Sequence, residues 1–330
     1  MTIPGRIRPL VVAVALMAVL TGCANTTPGD ADSDTPTAVV GLTYIPNIQF
    51  APFYVADHEH FYTSDASVSL RHHGASEGLF TALASGEEDF VVAGGDEILQ
   101  ARTQGIDIVA VASYYASYPA RVIVAQDSPI ASVADLKGRT VGIPGKFGEN
   151  WFALLIALQQ AGLTQSDVTI AEIGYTQQAA LTTGKVDAVI GFANSDLLSF
   201  QASGFPVTAI DPAVPLVSIC LATTASYAAS HPEVVSAVIA GMKQGMETSL
   251  TDEQTTLAIA GDYIPSFRGD TFDTAKIVLP ATTALFSGVD GTVSPPLDPA
   301  QWTSMARAME SVGLIPDGTD EQAAYTNQYA

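Results

Sequence analysis

Basic residues and cysteines are both scarce in this chain of 330 residues. It carries 13 lysines and arginines against 34 aspartates and glutamates, a formal net charge of −21 at pH 7. Such a surplus of negative charge disfavours nucleic acid and anionic membrane surfaces as partners, since both repel it. The two cysteines are Cys23 and Cys220. Cys220 lies in an apolar run and is predicted to be a buried small hydrophobe.

Sequence motifs of common catalytic and cofactor sites are missing as well. The chain has no glycine-rich dinucleotide fingerprint, no P-loop, no nucleophile elbow and no zinc-protease helix motif. His58 and His60 do not converge on one ion from a helix, and the adjacent His72 and His73 of a strand point to opposite faces. We therefore expect no metal, no cofactor and no catalytic residue.

The N-terminal segment is typical of an export signal. Arg6 and Arg8 precede an apolar run over 10–20, which is shorter than the ~20 residues of a membrane-spanning helix. The end of this run leads into Leu20-Thr21-Gly22-Cys23, which resembles the lipobox of bacterial lipoproteins, whose cysteine is acylated. We predict a lipoprotein signal peptide over 1–22, lipidation of Cys23 and a polar, disordered tether over 23–37. The protein would then be exported and anchored to the outer face of the cytoplasmic membrane.

The remaining residues alternate between strand and helix patterns, which predicts an α/β fold with largely parallel sheets. Strands are predicted at 38–43, 67–72, 89–93, 106–112, 121–125, 140–143, 168–173, 186–190 and 218–223. Helices are predicted at 76–85, 96–104, 151–161, 177–183 and 195–202, and then at 227–248, 251–263, 271–286 and 299–312.

Residues 81–94 and 180–191 repeat one pattern. Each has a helix, a glycine stop, an aspartate, an apolar strand and then small residues. This internal similarity predicts two α/β lobes with a ligand cleft between them. We place the first lobe at 38–122, the second lobe at 123–219 and a return to the first lobe at 220–330.

Candidate ligand-binding residues follow the predicted strands, because ligands of open α/β sheets sit beyond the carboxyl ends of strands. After the first strand come Tyr44, Asn47 and Phe50, although Phe50 could equally begin the buried face of a helix. In the rest of the first lobe the candidates are Ser76, Gly95, Asp96, Tyr114 and Tyr115. Helix capping alone would explain Ser76 and Asp96, and only one of the two adjacent tyrosines should face a ligand.

The second lobe offers the opposite wall of the cleft. Phe147 could cover a flat ligand, while Glu149 and Asn150 could hydrogen-bond its ring nitrogens or amines. Tyr175 and Asn194 follow strands at positions that the internal repeat also predicts for the cleft. Aromatic faces beside amides and a carboxylate suit a small aromatic nitrogen heterocycle.

Several of these segments resemble one family, the solute-binding proteins of ABC importers related to thiamine-pyrimidine-precursor and sulfonate binders. The resemblance rests on the lipobox and on residues 44–52, 135–142 and 184–188. It implies a two-lobe type II periplasmic-binding-protein fold with chain crossovers at 121–126 and 218–223. It also implies a monomer that binds a small molecule and delivers it to a permease and ATPase, and a thiamine pyrimidine precursor is the first choice of ligand.

Other functions stay open at this point. Riboflavin is the second choice of ligand, and an alkanesulfonate is third because few cations lie near the predicted cleft. The family includes a pyridoxal-phosphate-dependent pyrimidine synthase with a cysteine-rich motif, which this chain lacks. A sensor ectodomain that signals to a partner is the remaining alternative.

Overall fold

A computed structural model describes residues 37–62, 66–74 and 77–330. The predicted signal peptide, Cys23 and Ser76 therefore lie outside the described residues, as does the tether up to residue 36. Within the described residues, no helix has the length and apolar character needed to cross a bilayer.

Two five-stranded sheets form the framework, and both are flanked by helices. The first sheet has the order β2-β1-β3-β10-β4, from β1 (Thr37–Leu42), β2 (Ser67–His72), β3 (Phe90–Gly94), β4 (Val109–Ser113) and β10 (Ile219–Thr223). The second has the order β7-β6-β8-β5-β9, from β5 (Ala120–Ala125), β6 (Thr140–Ile143), β7 (Thr169–Glu172), β8 (Ala188–Phe192) and β9 (Val207–Ile210). The predicted α/β class with two lobes is confirmed.

The strand after each crossover is antiparallel to its neighbours: β10 to β3 and β4, and β5 to β8 and β9. The chain crosses before these strands, in segments 114–119 and 211–218, and the predicted crossovers at 121–126 and 218–223 were wrong. The predicted lobe boundary at 122 likewise falls inside β5. Sequence could not locate the crossings, since a strand that has just changed lobes is as apolar as any other buried strand.

Eleven helices surround the sheets in the described part of the chain. They are α1 (Ala51–His58), α2 (Thr81–Ser85), α3 (Gly95–Thr103), α4 (Gly148–Gln160), α5 (Gln177–Thr182), α6 (Asp196–Ala202), α7 (Ala225–Ser230), α8 (Pro232–Thr251), α9 (Glu253–Tyr263), α10 (Asp270–Thr283) and α11 (Pro299–Ser311). The helix predicted at 227–248 is in fact two helices, because Pro232 has no N–H to continue the first and instead begins α8. The edge strand β9 was not predicted.

The internal repeat has a structural counterpart in the two sheets, where β3 and β8 occupy the same middle position. In the first lobe, the carboxylate of Asp89 accepts a hydrogen bond from Val39 N–H at 2.8 Å. In the second, the carboxylate of Asp187 accepts one from Thr140 N–H at 2.7 Å. Each aspartate thus ties the start of the neighbouring parallel strand, which explains why both lobes carry it.

Helices α1 and α8 approach so closely that a glycine is required between them. A Cβ atom on Gly245 would lie 2.0 Å from the carbonyl oxygen of Pro52. We expect Gly245→Ala to lower the free energy of unfolding by about 1–3 kcal/mol, since backbone would have to move. Gly261→Ala in α9 is the matched control, because its nearest neighbour atom is 3.5 Å away. Urea unfolding that finds the two variants equally stable would contradict this account.

Cys220 is buried and unpaired in β10, as predicted.

Candidate functional site

Residues that follow strands of one sheet meet residues of the other lobe at three places. Tyr44, after β1, has its ring centroid 6.4 Å from that of Tyr175, after β7. Gly94, at the end of β3, lies against Glu149 in α4, so that a Cβ there would be 3.2 Å from Glu149 Cγ. Asn194, after β8, donates a hydrogen bond to Thr282 Oγ1 of α10 at 3.1 Å. The two lobes are therefore closed on each other in this structure.

Three carboxyl groups meet at the centre of this interface. Asp96 and Glu97 stand in the first turn of α3 in the first lobe, and Glu149 stands in the first turn of α4 in the second. Asp96 is fully buried and its Oδ2 accepts a hydrogen bond from the Tyr118 hydroxyl at 2.7 Å. The carboxylate of Glu97 accepts one from Gly94 N–H at 3.2 Å.

Burial raises the pKa of all three groups, because a charged carboxylate is poorly solvated there. It raises the pKa of Asp96 to about 7. It raises the pKa of Glu97 to about 8, with the charge of Asp96 adding to the effect. The pKa of Glu149 also rises through burial and then through both neighbouring acids. Among the residues that the structure describes, no lysine, arginine or histidine contributes to these shifts.

Four polar atoms around this cluster are buried without a hydrogen-bond partner in the described structure. They are Glu149 Oε1, Asn150 Oδ1, Asn194 Oδ1 and Ser218 Oγ. Most buried polar atoms in folded proteins have a partner, so four unpaired atoms at one interface are unusual. The two amide oxygens can only accept hydrogen bonds. The interface is therefore suited to a group that brings N–H or O–H donors.

Tyr115 joins the carboxyl cluster to the amide of Asn194. Burial raises the pKa of its hydroxyl, the charge of Glu149 adds to the rise, and hydrogen bonds with Asn194 and Thr282 oppose it. Tyr115 is almost fully buried and stacks on Tyr114 at 5.1 Å between ring centroids. This aromatic residue lies next to the unpaired acceptors.

Aromatic side chains form the exposed rim of the interface. Tyr44 is 43% exposed, Phe147 60% and Tyr175 67%. Single exposed apolar side chains are common on any surface, but contiguous ones mark sites that meet a partner or a ligand, and Tyr44 and Tyr175 are in contact. The rim has members from both lobes, so its shape depends on lobe closure.

A pocket of about 450 Å³ opens beside the rim, between the loop after β1, helix α10 and the second lobe. Asn47 and Gln49 of the loop, Ser195 of the second lobe and Thr274 of α10 give it polar groups. Its size lies within the usual range of small-molecule sites.

Five of the predicted residues have other roles or cannot be assigned. Tyr114 is fully buried in the core, where its hydroxyl donates to the Gln49 carbonyl at 2.6 Å. Phe50 is also buried, and its ring centroid lies 5.6 Å from that of His72 in an edge-on contact. The interpretation of Phe50 as part of a buried helix face therefore describes it better than ligand binding does. The Gly95 N–H already donates to the Ser218 carbonyl. Asn47 caps the following helical turn through Gln49 N–H, yet it also lines the pocket. Ser76 is not described.

The structure adds residues that sequence reasoning missed. Glu97 follows the predicted Asp96 in the same helical turn and could have been included on that ground. The sequence analysis selected neither Tyr118 nor Thr282 as a site residue. Their places at the interface depend on how the chain runs between helices and strands that are distant in sequence.

A second group of acidic residues and a histidine lies away from the cleft. His73, Glu77 and Glu88 offer potential metal-ligand atoms within 4.8 Å of one another. The Arg71 guanidinium pairs with Glu88 at 2.6 Å and with Glu77 at 2.7 Å. Because this guanidinium already occupies the position between the two carboxylates, the group is explained as an ion-pair network.

Comparison with known proteins places these features in a family. The profile of a family described as NMT1/THI5 like matches residues 47–255, more than half of the chain. The chain belongs to the NMT1/THI5-like family. The resemblance inferred from the sequence is thereby confirmed.

Two relatives of this NMT1/THI5-like protein carry ligand names. The riboflavin-binding protein RibY of Chloroflexus aurantiacus is 28% identical over 348 residues, covering 98% of each chain. A formylaminopyrimidine-binding protein of Halalkalibacterium halodurans is 25% identical over 246 residues, covering 73% of this chain and 74% of that one.

Solved structures agree on the fold of this NMT1/THI5-like protein. The periplasmic aliphatic sulphonate-binding protein SsuA of Escherichia coli superposes with a TM-score of 0.69 at 18% identity, over 87% of this chain and 91% of that one. At this identity the likeness establishes the two-lobe periplasmic-binding-protein architecture and nothing about the ligand.

Proposed function

We propose that this protein is the exported, lipid-anchored solute-binding component of an ABC importer, and that it captures a small aromatic nitrogen heterocycle by closing its two lobes. It would bind without chemistry and deliver the ligand to a membrane permease and its ATPase. The observation that carries the proposal is the set of buried, unpaired acceptors at the lobe interface, beside three carboxyl groups and an aromatic rim.

An aminopyrimidine of the thiamine-precursor class is the first choice of ligand. Its amino group brings N–H donors to the unpaired oxygens of Asn150 and Asn194, and a carboxyl group such as that of Glu149 can pair with a ring nitrogen. A flat ring could stack on the rim aromatics Tyr44 and Tyr175, which meet at 6.4 Å between ring centroids. The formylaminopyrimidine-binding relative supports this choice.

Riboflavin is the second candidate, and two separate observations favour it. The relative named as riboflavin-binding aligns over 98% of both chains. The pocket of about 450 Å³ next to the rim offers room and polar groups for a hydroxylated side chain that an aminopyrimidine lacks. An alkanesulfonate is disfavoured, because its sulfonate oxygens only accept hydrogen bonds and cannot satisfy the unpaired amide oxygens of Asn150 and Asn194.

The proposal predicts a selective thermal shift. The mature domain should be melted with a formylated aminopyrimidine, hydroxymethylpyrimidine, thiamine, riboflavin and taurine in separate samples. A ligand at a hundredfold its dissociation constant stabilises the folded state by about 2.7 kcal/mol, which is readily measured. We expect the pyrimidines to raise the melting temperature and taurine to leave it unchanged. A shift with riboflavin alone would establish the second candidate. If none of the five compounds shifted the melting temperature, both candidate ligands would be refuted.

A further inference from the structure

A chain of hydrogen bonds connects the interior of the first lobe to the loop that carries Tyr44. His72, the last residue of β2, lies with Nδ1 2.9 Å from the carbonyl oxygen of Tyr44 and with Nε2 3.0 Å from the hydroxyl of Tyr54. A carbonyl oxygen can only accept, so Nδ1 must carry the proton. Nε2 is then the acceptor of the Tyr54 hydroxyl proton, and the two partners together specify one neutral tautomer of the imidazole.

Packing holds the Tyr54 end of this chain in place. Tyr54 is fully buried in α1 and stacks on Tyr263 of α9 at 4.7 Å between ring centroids, nearly parallel at 11°. The Tyr263 hydroxyl in turn donates to the carboxylate of Asp57 at 2.5 Å. The Phe50 ring lies edge-on to the imidazole at 5.6 Å. His72 is thus oriented by groups that belong to the core of the first lobe.

The electrostatic surroundings also favour the neutral imidazole. Burial lowers the pKa of His72, and the adjacent His73 lowers it further, while the hydrogen bond to the Tyr44 carbonyl opposes the change. Among the described residues, the Tyr54 hydroxyl contacts the imidazole directly, and Tyr263 stacks on the far side of Tyr54. Burial raises the pKa of both, so neither supplies a charge near neutral pH.

The other end of the chain of bonds is at the cleft. Tyr44 is the first-lobe member of the aromatic rim, and its ring meets Tyr175 of the second lobe. Its main chain is fixed at few points: the Tyr44 N–H donates to the Leu42 carbonyl at 2.8 Å, and the bond from His72 fixes its carbonyl. A change in the direction of the Tyr44 carbonyl would rotate the peptide group that contains it and so turn the Tyr44 ring.

We infer that His72 is a positioning residue for ligand capture: as the neutral imidazole protonated on Nδ1, it fixes the Tyr44 carbonyl and thereby aims the Tyr44 ring across the mouth of the cleft. In this inference His72 acts through Tyr44 and not by touching the ligand. The predicted effect of His72 on ligand binding rests on the proposed function. Its predicted effect on the loop that carries Tyr44 does not require a ligand.

The first test uses hydrogen exchange in the ligand-free mature chain, so that it is independent of any ligand. In His72→Leu the donor is lost, and amides of the segment 43–50 should exchange about tenfold faster, roughly the effect of losing one hydrogen bond. In His72→Asn the side-chain amide nitrogen sits near the position of Nδ1 and can still donate to the Tyr44 carbonyl. This variant should exchange at nearly the wild-type rate. Equal protection of 43–50 in wild type and His72→Leu would overturn the inference.

The second test measures binding of hydroxymethylpyrimidine and riboflavin to the same variants. We expect His72→Leu to weaken whichever ligand binds by about five- to tenfold, and His72→Asn to recover most of that loss. The same substitution made in a Tyr44→Ala background should have no further effect, since His72 acts only through Tyr44. An equal loss in both backgrounds, or no rescue by asparagine, would show a general structural role instead. If wild type binds neither ligand, the proposed function fails while the exchange result still decides the role of His72.

Discussion

Replacing Glu149 by glutamine should weaken ligand capture and stabilise the ligand-free protein at the same time. Its Oε1 is buried without a partner, beside Asp96 and Glu97. Removing the ionisable group relieves its desolvation and the repulsion from two neighbouring acids, so we expect the ligand-free melting temperature to rise or hold. A ligand whose ring nitrogen takes the proton of this carboxyl group would lose a charge-assisted hydrogen bond of about 1.5–3 kcal/mol, or roughly 10- to 100-fold in affinity.

These opposite signs separate a binding role from a structural one. Titration calorimetry would give the affinity, and thermal unfolding would give the stability of the ligand-free form. Glu172→Gln is the matched control, because Glu172 is an exposed acid at the end of β7 in the same lobe. It should change neither quantity. If Glu149→Gln destabilised the ligand-free protein and left affinity unchanged, Glu149 would be a structural residue and the proposed site would be wrong.

Raising the pH should destabilise the closed, ligand-free protein. The pKa of Asp96 is raised by burial to about 7, and that of Glu97 to about 8 by burial and the Asp96 charge. An acid with a higher pKa in the folded state binds its proton more tightly there than in the unfolded state. The stabilisation from this bound proton is fully present below the unfolded pKa near 4. That effect is lost as the pH rises through 7 to 8.

One pKa unit corresponds to about 1.4 kcal/mol, and opening of the lobes would hydrate the acids and recover part of the loss. We therefore expect unfolding free energy to fall by about 2 kcal/mol between pH 5 and pH 9. Small-angle scattering should show a larger radius of gyration at pH 9. The double variant Asp96→Asn/Glu149→Gln should flatten both profiles. A wild type that grew more stable or more compact as the pH rose would contradict the assigned directions.

The Glu149→Gln prediction and the pH prediction concern the same physical feature. Closure brings acids of both lobes together without a basic side chain among the causes of their pKa shifts. A ligand with several N–H donors would satisfy the unpaired amide oxygens of this interface, whereas a sulfonate group brings only acceptors. The proposed preference for an aminopyrimidine over a sulfonate rests on this difference.

Sequence reasoning selected several second-lobe residues from their positions after strands, and their role in ligand binding stays a prediction. Of these, Glu149, Asn150 and Asn194 carry buried unpaired atoms in the described structure, and Tyr175 lies at the exposed rim. The same rule failed for Tyr114. Adjacent residues of an extended chain point in opposite directions. Tyr115 therefore reaches the lobe interface, while Tyr114 points into the core.

The sequence by itself determined the alternation of strands and helices, the two-lobe organisation and the aspartates that tie strands in each lobe. These features depend on side-chain periodicity, on glycines that end helices and on hydrogen bonds made close to each turn. Those signals act over a few residues, so they can be read directly from the chain.

Only the tertiary structure decided which residues share the interface. Asn194 meets Thr282 across 88 residues of sequence, and Glu149 meets Asp96 and Glu97 from the other lobe. Such contacts depend on where the chain crosses between the sheets and on how far the lobes close, neither of which leaves a periodic pattern in the sequence. The imidazole of His72 reaches the Tyr44 carbonyl for the same reason: β1 and β2 are adjacent parallel strands whose ends lie side by side.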